Sequence, residues 1–156
     1  MKFEHLIEIN DPTNPLIDTI SRLQLWRGLV LRAEQPKLFV PHLDECEITE
    51  RAPDHLARRL RYGELVVIDT VSFIPQLQVR YNVPKQGEIP ASHLIMQIEQ
   101  PQEDELYVRF QYDDHNDAAT DAANAMYDDF RRSAYKESDI DTIAIIRQLI
   151  SDGKLS

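Results

Sequence analysis

The stretch Asp54-His55-Leu56-Ala57-Arg58-Arg59-Leu60-Arg61-Tyr62-Gly63-Glu64-Leu65-Val66-Val67-Ile68-Asp69-Thr70-Val71 decides how this chain folds. Gly63-Glu64 separates two runs of alternating character, and a two-residue connection with Gly first is the type II′ pattern of an antiparallel hairpin. Centring on that turn pairs Tyr62 with Leu65, Leu60 with Val67, Arg58 with Asp69 and Leu56 with Val71. Side chains alternate with period two, so these residues share one face. That face is rich in large apolar groups and is the buried one, while Ala57, Arg59, Arg61, Val66, Ile68 and Thr70 lie opposite. Arg58 and Asp69 therefore meet on an apolar face, where a charge requires a partner. Two readings of the pair stand: a polar anchor inside a pocket, or an ion pair that satisfies itself and fixes register.

Working outward, strands are predicted over 44–51, 54–62, 65–73, 76–83, 92–100 and 105–113, separated by Pro-, Gly- and Asp-containing breaks. Leu77, Val79 and Tyr81 point inward on one of them, Leu94, Met96 and Ile98 on the next, and Leu106, Val108, Phe110 and Tyr112 on the last. At the start of the chain Phe3, His5, Ile7 and Ile9 alternate with Lys2, Glu4, Leu6 and Glu8, which adds a seventh strand. Leu16, Ile17, Ile20, Leu23, Trp26, Leu29 and Val30 then follow helical spacing, with Asn14 as a cap and Pro15 at the first position. Ser21 and Gly28 favour two short helices there over one. After Asp113 the pattern is helical to the end. Asp117 caps a segment carrying Ala118, Ala122, Ala125, Met126, Phe130 and Ala134, a second start falls at Ser138, and Gly153 closes the helix. This order gives one α+β domain over residues 1–156: a seven-stranded curved antiparallel sheet wrapped around a long C-terminal helix, with two short helices after the first strand.

Bulk chemistry removes several function classes. The chain has 156 residues with 17 Lys+Arg against 27 Asp+Glu, a net charge of −10. That balance opposes binding to nucleic acid or to an anionic membrane surface. No uncharged apolar run approaches the ~20 residues of a membrane span, so no membrane insertion is expected. The lone Cys46 forbids an intrachain disulfide, suits a reducing cytoplasm, and reads as a packed residue. No Gly-rich phosphate loop, H-E-x-x-H or G-x-S-x-G is present, so no cofactor is expected. No metal is expected either, because Asp113-Asp114-His115-Asn116-Asp117 lacks calcium-loop spacing and reads as a solvated turn. Asp128, Asp129, Glu137, Asp139 and Asp141 read as the wet side of the last helix.

The order of elements resembles the helix-grip fold of the START, birch-pollen-allergen and polyketide-cyclase (SRPBCC) superfamily. Local motifs are similar to those of its AtaL-like branch: Glu4-His5 to Ile9-Asn10; Gln24-Leu25-Trp26-Arg27-Gly28-Leu29 followed by Arg32 and Pro36; Arg58-Arg59-Leu60-Arg61-Tyr62-Gly63; Asp69-Thr70-Val71; and Ile140-Asp141-Thr142 to Ile146-Arg147. The branch's common Glu stands here as Asp69, with a shorter reach. The resemblance implies a hydrophobic cavity between the sheet and the last helix. Superfamily members carry lipids, sterols, plant hormones or polyketides there, and some are cyclases or aromatases.

Three functions follow as expectations. The first is binding of a small hydrophobic or aromatic molecule by His5, Ile7, Trp26, Leu56, Arg58, Leu60, Tyr62, Val67, Asp69, Tyr81, Met96, Phe110, Tyr112, Met126 and Phe130, with Arg58 orienting an acidic group. The second is a cofactor-independent cyclase, aromatase or isomerase, with His5 or Asp69 as base and Arg58 or Tyr62 stabilising an enolate. The third is a partner-binding module that uses the acidic helix. Nothing in the sequence marks a self-complementary patch, so it gives no oligomeric state.

Overall fold

Gly63 takes a left-handed φ of 61° and Glu64 does not, the combination that makes a type II′ turn. The computed structural model, which describes residues 1–156, places that turn between β3 (His55–Tyr62) and β4 (Leu65–Ile74). Their register is Tyr62 with Leu65, Leu60 with Val67, Arg58 with Asp69 and Leu56 with Val71, as the alternation predicts. The other strands are β1 (Lys2–Asn10), β2 (Glu45–Ala52), β5 (Gln78–Val83), β6 (Ser92–Glu99) and β7 (Leu106–Asp113). All are antiparallel neighbours in one sheet of order β1-β7-β6-β5-β4-β3-β2. Only β1 travels far, to pair with β7.

Cross-strand register builds the inner face in rows. One row runs Leu56, Val71, Tyr81, Leu94, Tyr112 and Phe3, and the next runs Phe73, Val79, Met96, Phe110 and His5. Val71, Val79, Met96, Val108 and Phe110 are fully buried. Leu65, at the start of β4, and Leu77, in the turn before β5, both expected inward, lie exposed.

The segment after β1 departs from the helical reading. Residues 14–20 are a short turn and irregular backbone, and a single helix, α1 (Arg22–Glu34), starts at Ser21 with a reciprocal Ser21/Gln24 capping box. The first of the two expected short helices is absent because the backbone of Ile20 is already taken. Asn10 accepts from the Ile20 N–H at 3.0 Å and donates to its carbonyl at 2.8 Å. Asn14 accepts from Leu16 N instead of capping a helix, and Arg147 donates to the Asp18 carbonyl. A single 3₁₀ turn, Pro36–Leu38, follows α1.

Asp117 caps the short α2 (Ala118–Ala123), and α3 (Ala125–Ser151) runs without a break through Ser138. Ser138 starts nothing, because its carbonyl accepts the Thr142 hydroxyl at 3.0 Å within the continuous helix. Gly153, at φ 73°, closes the helix as expected. Leu25, Gly28, Leu29 and Ala33 of α1 pack against Ile143 and Ile146 of α3 and the sheet rows in one core cluster. No helix is long and apolar enough to cross a membrane.

Candidate functional site

Beyond the packed rows, the sheet and the two long helices leave a cavity of about 350 Å³. Its wall includes Arg32 and Pro36 from the α1 end, Arg58, Leu60 and Tyr62 from β3, Val67 and Asp69 from β4, Tyr81 from β5, Leu94 from β6, Tyr112 from β7 and Tyr135 from α3. It is therefore apolar and aromatic, with a few polar groups brought together from distant parts of the chain.

Arg58 and Asp69 form a closed unit. The guanidinium donates from Nε to Asp69 Oδ1 at 2.9 Å and from Nη2 to Oδ2 at 2.6 Å. Its Nη1 donates to the Ala33 carbonyl at 2.9 Å, near the end of α1. The two residues are only 4% and 3% exposed. Burial works against the Arg58 charge, and the hydrogen bonds and charge of Asp69 outweigh it, so its pKa is raised. The pair locks β3 to β4 and to α1, and its charges are spent on each other.

Arg32 is different. It makes no ion pair, and its one well-aligned hydrogen bond is a long 3.4 Å contact from Nε to the Thr142 hydroxyl, with the Tyr81 hydroxyl also in reach. Burial opposes its charge, and the oxygens of Tyr81, Tyr112 and Asp139 hold its pKa above the ordinary value. Both guanidinium groups lie 5.2 Å from the centre of the Tyr81 ring. The Tyr81 hydroxyl is buried and close enough to Arg32 to support its charge, but it makes no well-formed hydrogen bond and its proton has no acceptor. A buried hydroxyl left unmade is costly, and native proteins rarely leave one without a reason.

A second polar network closes the α3 side. Asp139, fully buried, accepts from the Tyr112 hydroxyl at 2.7 Å and sits 2.7 Å from His5 Nε2. Burial pushes the Asp139 carboxyl up, opposed by His5, Tyr112 and Arg32. Burial, then Asp139, drives the Tyr112 phenol far above its usual range, so it stays a neutral donor. Tyr112 also stacks on Tyr135, centroids 4.0 Å apart. The His5 ring stacks on Phe3 and Phe110. It belongs to this network and does not line the cavity.

The expected site residues thus divide. Arg58, Leu60, Tyr62, Val67, Asp69, Tyr81 and Tyr112 stand on the cavity wall. Leu56, Met96 and Phe110 are buried core below it, and Ile7 and Trp26 pack on the edge of that core, Trp26 edge-on to Phe73. Met126 and Phe130 are corrections: they are 88% and 73% exposed on the outside of α3. The reason is helical phase. The inward stripe traced back from Ile146 runs through Thr142, Asp139, Tyr135, Arg131 and Asp128, and Met126 and Phe130 lie about half a turn away. Asp128 and Asp139 are consequently buried, against the expectation of a wet acidic face. Asp128 is met by Arg131, which also reaches Asp114 at 3.0 Å. Cys46 is half-buried and burial pushes its thiol up, as a packed residue requires. Sequence reasoning missed Arg32 as a site residue, although its place one turn beyond Gly28 on the inward face of α1 was a usable signal.

A family model described as AtaL, acetylaranotin biosynthesis cluster protein L, matches residues 7–153. The chain belongs to the AtaL family. Several solved structures share this chain's fold. The di-domain aromatase/cyclase StfQ of the steffimycin biosynthetic pathway superposes with a TM-score of 0.69 at 8% identity, over 97% of this chain and 51% of that one. The chain therefore spans about half of StfQ. The Zhui aromatase/cyclase from Streptomyces sp. R1128 gives 0.63 at 14% identity, over 96% and 95% of the two chains. Ara h 8.0201 gives 0.61 at 15%, over 97% and 98%. At these identities the likeness is one of fold: this AtaL-family chain has the helix-grip architecture of the START and polyketide-cyclase superfamily. No curated protein sequence matches.

Proposed function

We propose that the chain binds a small, mostly aromatic molecule in the cavity and holds an acidic oxygen of that molecule between Arg32 and the Tyr81 hydroxyl. The unpartnered Tyr81 hydroxyl, buried beside a guanidinium that has no carboxylate, carries this reading. An anion or phenolate there would satisfy both groups, while the apolar wall contributes about 25 cal/mol per Å² removed from water. The anchor expected at Arg58 moves to Arg32, because Asp69 already neutralises Arg58. The likeness in fold to the aromatase/cyclases StfQ and Zhui supports a ligand with aromatic or polyketide character. A cyclase would need a free base on the wall. Asp69 is committed to Arg58, and Asp139 to Tyr112 and His5, so binding is the better-supported reading.

Two substitutions test it against aromatic probes. Arg32→Met should weaken 1-naphthoate by about 10-fold or more, the worth of a charged hydrogen bond, and change 1-naphthalenemethanol by only about 2-fold. Tyr81→Phe should weaken naphthoate while raising the stability of the empty protein by about 1 kcal/mol, since it removes an unmade hydrogen bond. Calorimetry and urea unfolding read the two effects. Equal loss for acid and alcohol, or a Tyr81→Phe protein that is less stable, would contradict the assignment.

A further inference from the structure

The polar residues around β6 and β7 carry a second site, independent of the cavity reading. His93 on β6 and Asp113 on β7 are direct cross-strand partners. The chain then turns back on itself. The His115 N–H donates to Asp113 Oδ1 at 2.7 Å, and His115 takes a left-handed φ of 62°, uncommon for a residue with a side chain. That turn brings its ring over β6, with Nε2 3.1 Å from His93 Nδ1. One ligand atom from each of His93, Asp113 and His115 lies within 4.8 Å of the others.

The separation of the two imidazole nitrogens is what one ion would require, and a rotation of the Asp113 carboxylate would bring in the third ligand. Two imidazole nitrogens bound to a single zinc-sized ion at ~2.0–2.1 Å stand about 2.9–3.4 Å apart, depending on whether the angle between them is octahedral or tetrahedral. We propose that His93, Asp113 and His115 form a site for a divalent transition ion of the zinc class, bound by two imidazole nitrogens and one carboxylate oxygen. Two imidazoles with a carboxylate suit zinc, cobalt or nickel better than calcium or magnesium, which prefer all-oxygen shells. The neighbouring Asp114 is not available as a ligand, because the Met1 ammonium and Arg131 already occupy it. Three protein ligands leave at least one coordination position open. His93 also lines the cavity.

A simple His93–His115 hydrogen bond would account for the contact without an ion, and cobalt titration separates the two. Protein stripped with chelator is titrated with Co²⁺ while visible absorption is recorded, and Zn²⁺ is then used to displace the cobalt. The site predicts one equivalent of cobalt with nitrogen-ligand d–d bands. His115→Asn keeps a residue that tolerates the left-handed backbone, and His93→Gln keeps the strand. Each should weaken uptake by about 10- to 100-fold or more. His55→Gln alters another imidazole beside carboxylates, 2.9 Å from Asp54 and 3.6 Å from Glu50, and should leave cobalt uptake unchanged. Uptake that does not saturate at one equivalent, that survives His115→Asn, or that falls with His55→Gln would overturn the proposal. None of these readouts uses an organic ligand, so its failure and that of the cavity reading are distinguishable.

Discussion

Asp69→Leu is expected to lower the stability of the fold by about 3–5 kcal/mol, the usual cost of leaving a buried charge without its partner. Arg58 would keep only the Ala33 carbonyl, and it would join Arg32 as a second guanidinium at the Tyr81 ring without a carboxylate partner. Arg58→Met with Asp69→Leu should cost far less, because both charges leave together and apolar side chains fill the face. The remaining loss, about 1 kcal/mol, is the Ala33 carbonyl deprived of its donor. Urea unfolding of the two single variants and the double variant gives the coupling directly. A double variant as unstable as the sum of the singles would mean that the pair is not the closed unit its geometry describes.

The second large effect lies where the helices touch. A Cβ on Gly28 would stand 2.6 Å from Ile146 Cγ2, 2.8 Å from Cγ1 and 2.9 Å from Cδ1. Ile146 is fully buried and β-branched, so it has little freedom to yield. Gly28→Ala should therefore destabilise by about 1–3 kcal/mol through overpacking, despite the ~1 kcal/mol that Ala gains over Gly in a helix. In an Ile146→Ala background the three clashing atoms are gone, and the same Gly28→Ala change should become stabilising. A sign that does not reverse between the two backgrounds, read by thermal or urea unfolding, would contradict the contact. The consequence reaches the site, since Arg32 lies one helical turn beyond Gly28 and the spacing of α1 from α3 sets where its guanidinium sits.

The sheet was legible because its information is local. Gly63-Glu64 fixes a turn, the turn fixes a register, and period-two alternation then assigns a face to every residue from Leu56 to Val71. The same logic placed Tyr81 and Tyr112 on the inner face, and both line the cavity. Helices were harder because their burial depends on phase rather than on apolar content. Met126 and Phe130 are large and apolar, yet the inward stripe of α3 passes through Asp128, Arg131, Tyr135 and Asp139, polar residues that satisfy one another or strands far away. Residues 14–20 have helical spacing, but Asn10 and Arg147 hold the backbone of Ile20 and Asp18 in a non-helical path, and neither contact is visible locally. The His93–His115 contact joins residues 22 positions apart, and only the β6–β7 register shows it. Arg32 is a cation on the inward face of α1 whose lack of a carboxylate partner becomes evident only when every neighbour is in place.

The cavity beside Arg32 and Tyr81 is proposed to receive a small aromatic acid. The most direct measurement is a ¹H–¹⁵N NMR titration of the folded protein with 1-naphthoate. The prediction is saturable one-to-one binding, with the largest shifts in the backbone amides of Arg32, Tyr81, Leu94 and Tyr112, which line the cavity from α1, β5, β6 and β7. No saturation, or shifts scattered over the outer surface with these amides unmoved, would contradict it.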